Sequence, residues 1–113
     1  MKTKKVYLYV FNTMSDWEYG YIIAELNSGR YFKKDLVPLK VVTIAITKET
    51  ITTMGGLKII SDISLDECTL ESEDLVILPG GTTWGEDIHQ PLLNKISEAL
   101  ELGTIVAAIC GAT

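Results

Sequence analysis

Hydrophobic residues along this chain fall into short unbroken runs, separated by stretches with helical spacing. Residues 4–11 hold the first run, Val6-Tyr7-Leu8-Tyr9-Val10-Phe11. A β-branched and aromatic run without polar alternation predicts a strand buried on both faces of a parallel sheet. Ser15-Asp16-Trp17-Glu18 then predicts a helix start, because Ser15 at the N-cap and Glu18 three positions on can satisfy each other's free amides. Trp17, Tyr21, Ala24 and Ser28 follow at helical spacing, and Ile22 with Leu26 widens the stripe. Residues 37–46 read as the second strand, with Pro38 confined to its beginning or edge. Gly55-Gly56, between residues 50–54 and 57–60, predicts a β-hairpin closed by two residues of positive φ.

The second half repeats the alternation. Residues 62–73 are polar with isolated leucines and hold a short helix at most. Asp74-Leu75-Val76-Ile77-Leu78 is a third buried strand, ended by Pro79-Gly80-Gly81, since Pro lacks a donor and Gly tolerates special backbone angles. Thr83-Trp84-Gly85-Glu86 reads as another capping box. Leu92, Leu93, Ile96 and Leu100 in residues 91–102 are spaced for a helix that ends before Gly103. Residues 104–109 form a fourth buried strand, followed at once by Cys110-Gly111-Ala112-Thr113. Strands alternating with helices predict an α/β, doubly wound, mostly parallel sheet with helices on both faces and a β-hairpin insertion.

Composition narrows this picture. The 113 residues are 47% apolar, and a chain of this size buries roughly two-thirds of its unfolded surface, enough for one core. Ten Lys plus Arg against 15 Asp plus Glu leave a formal charge of −5 with no basic cluster. That excludes a nucleic-acid partner and an anionic membrane surface. The basic start is followed by only six apolar residues before Asn12, too few for a signal peptide. No run approaches the roughly 18 residues that span a bilayer, so a cytoplasmic protein is expected. Cys68 and Cys110 are separated by 41 residues, with no C-x-x-C and only His89 as a nitrogen ligand. Neither a disulfide framework nor a metal site fits, no cofactor is called for, and a thiol is left for chemistry.

In an open parallel sheet, sites gather outside the carboxyl ends of the strands. Three such ends are residues 12–18, Pro79-Gly80-Gly81 and Cys110-Gly111, which selects Cys110 over Cys68. A cysteine between a buried strand and small residues fits a nucleophile elbow, in which a sharp turn pushes the side chain out. The Gly111 amide, with that of Gly81 across the site, then forms an oxyanion hole. Each of these residues has a plainer reading beside it. Cys110 can end a strand as an inert buried thiol, Glu18 can serve only as the partner of Ser15, and Pro79-Gly80-Gly81 can be a mere turn. His89, before Gln90-Pro91, reads as a surface or capping residue rather than a general base. Cys68 reads as a spectator thiol, and Trp17 and Trp84 as core or pocket wall.

Together, residues 4–11, Ser15-Asp16-Trp17-Glu18-Tyr19, Gly55-Gly56-Leu57 through Ser61-Asp62, Leu78-Pro79-Gly80-Gly81 and Ala107-Ala108-Ile109-Cys110-Gly111-Ala112 resemble the ThiJ/PfpI family of the class I glutamine amidotransferase-like superfamily. The resemblance runs the whole length and implies a flavodoxin-like fold. It makes Cys110 the nucleophile, Glu18 the acid whose carboxyl lies beside the sulfur, and Gly81 with Gly111 the oxyanion-hole amides. Gly80, Trp17 and Trp84 then belong to the substrate-binding mouth. A carboxyl pressed against a thiolate holds its proton and donates it as a hydrogen bond to the sulfur or to a sulfinate. One departure weakens a protease reading: peptidase-like members place a His directly after the nucleophile, and here that residue is Gly111.

The resemblance also implies that residues 1–113 are the N-terminal portion of one domain whose C-terminal portion, with a further catalytic His, is absent. On that reading the chain does not form an independently folded monomer. Two functions are expected. The first is a cysteine-dependent hydrolase or lyase, peptidase-, amidase- or deglycase/glyoxalase-like, acting on a small-molecule or peptide carbonyl or amide. The second is a redox-responsive protective or regulatory protein, of the stress-response kind, in which Cys110 is oxidised without turnover. A glutaminase subunit is permitted by superfamily kinship, and a homodimer is implied by resemblance alone.

Overall fold

The first strand, β1 (Val6–Tyr9), is buried at every position, as its unbroken apolar run requires. The computed structural model describes residues 5–32 and 38–113; Lys4 and Val37, at the predicted starts of the first two strands, lie outside them. Helix α1 (Asp16–Ser28) leads to β2 (Val41–Ala45), and a hairpin of β3 (Ile51–Thr52) with β4 (Lys58–Ile59) follows. Then come β5 (Ile63–Ser64), a 3₁₀ turn at Leu65–Glu67, β6 (Leu75–Leu78), a 3₁₀ turn at Asp87–His89, α2 (Gln90–Glu101) and β7 (Ile105–Ala108).

The main sheet has the order β5-β2-β1-β6-β7, and all its pairings are parallel. The chain passes from β1 leftward to β2 through α1 and from β6 rightward to β7 through α2. Right-handed crossovers in opposite directions place the two helices on opposite faces. The doubly wound α/β sheet with its hairpin insertion is therefore the fold the sequence predicts. The order reverses between β1 and β6, so the crevice beyond their carboxyl ends is where a site belongs.

Several elements differ from the sequence reading. Strand β5 falls in the stretch read as polar with a short helix; only two residues long, it pairs with β2 at Ile44 and Ala45. A capping box does form there, between Ser64 and Glu67. At Ser15 none forms, because Glu18 is engaged elsewhere. Trp17 and Tyr21 point to solvent, and α1 packs inward through Tyr19, Ile22, Ile23 and Leu26. The helix is rotated to this face by two ties: the Ser15 N–H donates to the Gly80 carbonyl, and the Asp16 carboxylate accepts from the Thr53 hydroxyl and the Gly55 N–H.

In the hairpin, β3 and β4 are joined by residues 53–57 rather than by two glycines, and only Gly56 has positive φ. Gly55 is required for another reason, because a Cβ there would lie 2.9 Å from the Asp16 carboxylate. Helix α2 buries Leu92, Ile96 and Ala99, leaving Leu93 and Leu100 exposed. Strand β7 is half-exposed, not buried on both faces, since it pairs with β6 on one side only.

Candidate active site

Cys110 lies one residue beyond β7, after Ile109, and has φ +50, a left-handed conformation that costs a non-glycine residue roughly 1–2 kcal/mol. The turn is held by the Ile109 N–H donating to the Leu78 carbonyl and by the Thr113 N–H and hydroxyl donating to the Cys110 carbonyl. Its thiol is free and exposed. The strand end thus turns through a left-handed residue, as an elbow does, and the thiol is exposed rather than buried as in the plainer reading.

Gly80 is the point around which the other groups meet. A Cβ on it would lie 2.7 Å from Glu18 Oε1, 3.2 Å from the Gly111 nitrogen and 3.3 Å from Cys110 Cβ. The missing side chain is the space in which carboxylate, elbow amide and cysteine come together. The Gly80 N–H donates to Glu18 Oε1 at 2.8 Å, so the glutamate reaches across from α1 to the turn after β6. The cap-only reading of Glu18 is thereby replaced. Gly81 is also confined, since a Cβ there would meet the Phe11 ring at 2.5 Å and the Thr13 carbonyl at 3.1 Å. Gly111 faces Gly81, its hypothetical Cβ 3.4 Å from the Gly81 carbonyl oxygen. Five of the predicted residues, Glu18, Gly80, Gly81, Cys110 and Gly111, thus share one crevice at the switch point of the sheet.

The two tryptophans do not join them as a substrate mouth. Trp17 is 69% exposed. Trp84 packs behind the turn, its Nε1–H donating to the Pro79 carbonyl and its ring 5.0 Å from Phe11 and 4.4 Å from His89. A cavity of about 250 Å³ beside the ends of β1 and β2 is walled instead by Tyr9, Phe11, Ile46, Thr83 and His89, with neither Trp in its lining. Among the described residues no cluster of His, Cys, Asp and Glu could hold a metal ion, and no helix is long and apolar enough to cross a membrane.

His89 is the residue that sequence reasoning misplaced. It is 1% exposed, with Nδ1 2.8 Å from the Tyr9 hydroxyl and Nε2 2.9 Å from Thr83 Oγ1. Burial lowers its pKa, against the opposing pull of Glu86, and burial likewise raises that of Tyr9. The signal was present: extending the Leu92, Ile96, Ala99 stripe back one turn lands on position 89. Cys68, read as a spectator, is 3% exposed with its thiol pushed up by burial.

Comparison with known proteins identifies the fold and its family. The pattern of the DJ-1/PfpI family matches residues 4–113. The chain is 74% identical over its whole length to an uncharacterized protease, YoaZ, of Bacillus subtilis strain 168, and covers 54% of that protein. It superimposes with a TM-score of 0.97 on the crystal structure of a thiJ/pfpI family protein from Bacillus anthracis, at 78% identity, covering all of this chain and 53% of that one. A DJ-1 superfamily protein from Agrobacterium tumefaciens shares the fold at a TM-score of 0.71 and 23% identity, with 95% and 53% covered. The chain spans about half the length of these relatives. With the family pattern running through residues 4–113 on a matching fold, the chain belongs to the DJ-1/PfpI family.

Proposed function

We propose that the protein is a cysteine-dependent hydrolase for small carbonyl or amide compounds, with Cys110 as nucleophile. One observation carries this reading: an exposed thiol on a left-handed elbow, with the Glu18 carboxylate and the Gly111 amide converging on the same space beside Gly80. In the reaction the Cys110 sulfur, as the thiolate whose proton Glu18 holds, forms a bond to the carbonyl carbon. The Gly81 and Gly111 amides stabilise the oxyanion. Collapse breaks the bond to the leaving group, which departs with the proton from Glu18. Water then adds to the thioester, its proton returns to the sulfur, and a carboxylic acid is released. His89 is no base in this scheme, because both ring nitrogens are occupied in a buried site. Trp17 and Tyr21, exposed on α1, supply apolar surface for the homodimer that belongs to the same reading, and its setting is the cytoplasm.

The exposure of Cys110 also favours a second reading, in which two equivalents of a peroxide oxidise the thiol in turn to a sulfenic acid and a sulfinate, each peroxide being reduced to water or alcohol, and no substrate is turned over. Reactive aldehydes and simple amides distinguish the two. Turnover that disappears in Cys110→Ser supports the hydrolase. Clean sulfinate formation at Cys110 without turnover supports the redox protein. Alkylation of Cys110 no faster than that of Cys68 overturns both.

A further inference from the structure

Three side chains touch the turn from Pro79 to Trp84, and all three converge on one residue outside the reacting groups. Phe11 abuts Gly81, Trp84 is bonded to the Pro79 carbonyl, and the Thr83 hydroxyl belongs to the turn itself. Each is in contact with His89: Phe11 edge-on at 5.0 Å between centroids, Trp84 at 4.4 Å, and Thr83 through Nε2 at 2.9 Å.

The hydrogen bonds have a definite direction. Thr83 Oγ1 lies 3.3 Å from the Asn12 carbonyl oxygen, to which only it can donate. It therefore accepts from His89 Nε2–H, leaving Nδ1 of the neutral ring to accept from the Tyr9 hydroxyl. Thr83 Oγ1 also accepts from the Thr13 hydroxyl, and Thr13 Oγ1 in turn accepts from the Thr82 N–H. A relay thus runs from Tyr9, buried at the end of β1, through His89 to Thr83, and on to the loop after β1 at Asn12 and Thr13.

We propose that His89 is a positioning residue that clamps the turn after β6 to the loop after β1, and thereby holds the Gly80 and Gly81 amides in register with Glu18 and Cys110. The purpose of the clamp rests on the hydrolase reading above; its mechanics do not. Both loops meet the reacting groups directly. The loop after β1 opens the helix that carries Glu18, through Ser15 N–H to the Gly80 carbonyl, and the turn after β6 supplies Gly80 and Gly81. His89 touches none of the reacting groups and acts only through Thr83, Phe11 and Trp84. A polar group this buried would cost stability unless satisfied, and both satisfying partners lie on elements that frame the crevice.

The test uses two readouts: exchange of the Thr82 amide, whose partner Thr13 is held by Thr83, and the rate of Cys110 alkylation by iodoacetamide followed by peptide mass mapping across pH. His89→Phe keeps a ring of similar size and removes both bonds. Thr83→Val removes only the hub, leaves the Tyr9–His89 bond in place, and guards against loss of folding in the histidine variant. Both are expected to speed Thr82 exchange and to slow Cys110 alkylation roughly tenfold, as small displacements of reacting groups do. Thr83→Ser is expected to restore both. Parental exchange and alkylation in Thr83→Val overturn the clamp, and so does a Thr83→Ser variant that behaves like Thr83→Val. Faster Thr82 exchange with Cys110 no more reactive than Cys68 in the parent supports the clamp and overturns the hydrolase reading instead.

Discussion

The two cysteines of this chain sit in opposite environments. Cys68 lies under the 3₁₀ turn at Leu65–Glu67, 3% exposed, beside Tyr7, whose hydroxyl is pushed up to about 12 chiefly by burial. Lys95 Nζ donates to the carbonyl oxygens of Leu65 and Cys68, so the backbone there is tied down as well. Cys110 is exposed, on a left-handed backbone, beside glycines that leave room for a carboxylate and an amide. The first site spends its thiol on packing, and the second accepts strain to present one. The position of a cysteine relative to a strand end therefore says more about its exposure than the polarity of its sequence neighbours, since Cys68 is the one flanked by Glu67 and Thr69.

The largest expected contrast between them is chemical. Iodoacetamide at neutral pH should alkylate Cys110 on the order of 100-fold faster than Cys68, because the thiolate is the nucleophile and burial both withholds it and blocks access. Equal rates, read by mass mapping, would break the comparison.

Stability should separate the sites in the opposite sense. Cys68→Ser is expected to cost about 1 kcal/mol, by replacing a closely packed buried sulfur with a smaller, more strongly hydrated hydroxyl that keeps only the Tyr7 hydrogen bond. Cys110→Gly is expected to stabilise by up to about 1 kcal/mol, by relieving the left-handed strain while ending thiol chemistry. Urea unfolding of the two variants checks both, and a Cys110→Gly variant less stable than its parent would remove the argument from strain.

Gly80→Ala sharpens the account of the elbow. Its Cβ must displace Glu18 Oε1 or crowd the Gly111 amide, so the expected result is a loss of about 1 kcal/mol with a clear slowing of Cys110 alkylation. Retained alkylation would show that the glutamate and glycine contacts are incidental to the thiol.

The smallest effect is on acid stability. The folded-state pKa of His89 is lowered from about 6.5, so the unfolded chain binds that proton more tightly. The neutral histidine's contribution is full above the ordinary histidine range and is lost as pH falls below it. Denaturant midpoints should therefore decline as pH falls below about 6.5, and His89→Phe, which has no imidazole to protonate, should decline less.

The strands and their order of appearance were legible, because a run buried on both faces has to be apolar throughout. β1 and β6 show this directly, and Pro79-Gly80-Gly81 and Cys110-Gly111 stood out as breaks at strand ends. Strand β5 was not legible, since two residues between polar neighbours carry no period, and its pairing with β2 is a long-range event. The inward face of α1 was misread for a similar reason. Aromatic spacing from Trp17 suggested one stripe, and the Asp16 bonds to Thr53 and Gly55, thirty-seven and thirty-nine residues away, turned the helix to another.

What the sequence determined by itself is the alternation of strands and helices and the choice of Cys110 as the reactive candidate, both consequences of local pattern and of where runs stop. What only the tertiary structure decided is the set of neighbours: Glu18 against Gly80 rather than Ser15, Gly81 beneath Phe11, and a histidine buried among Tyr9, Thr83 and Trp84. Those contacts join residues up to 80 positions apart. Hydrophobic period records how much of a residue is buried, whereas the partner it meets is set by how strands line up in the sheet.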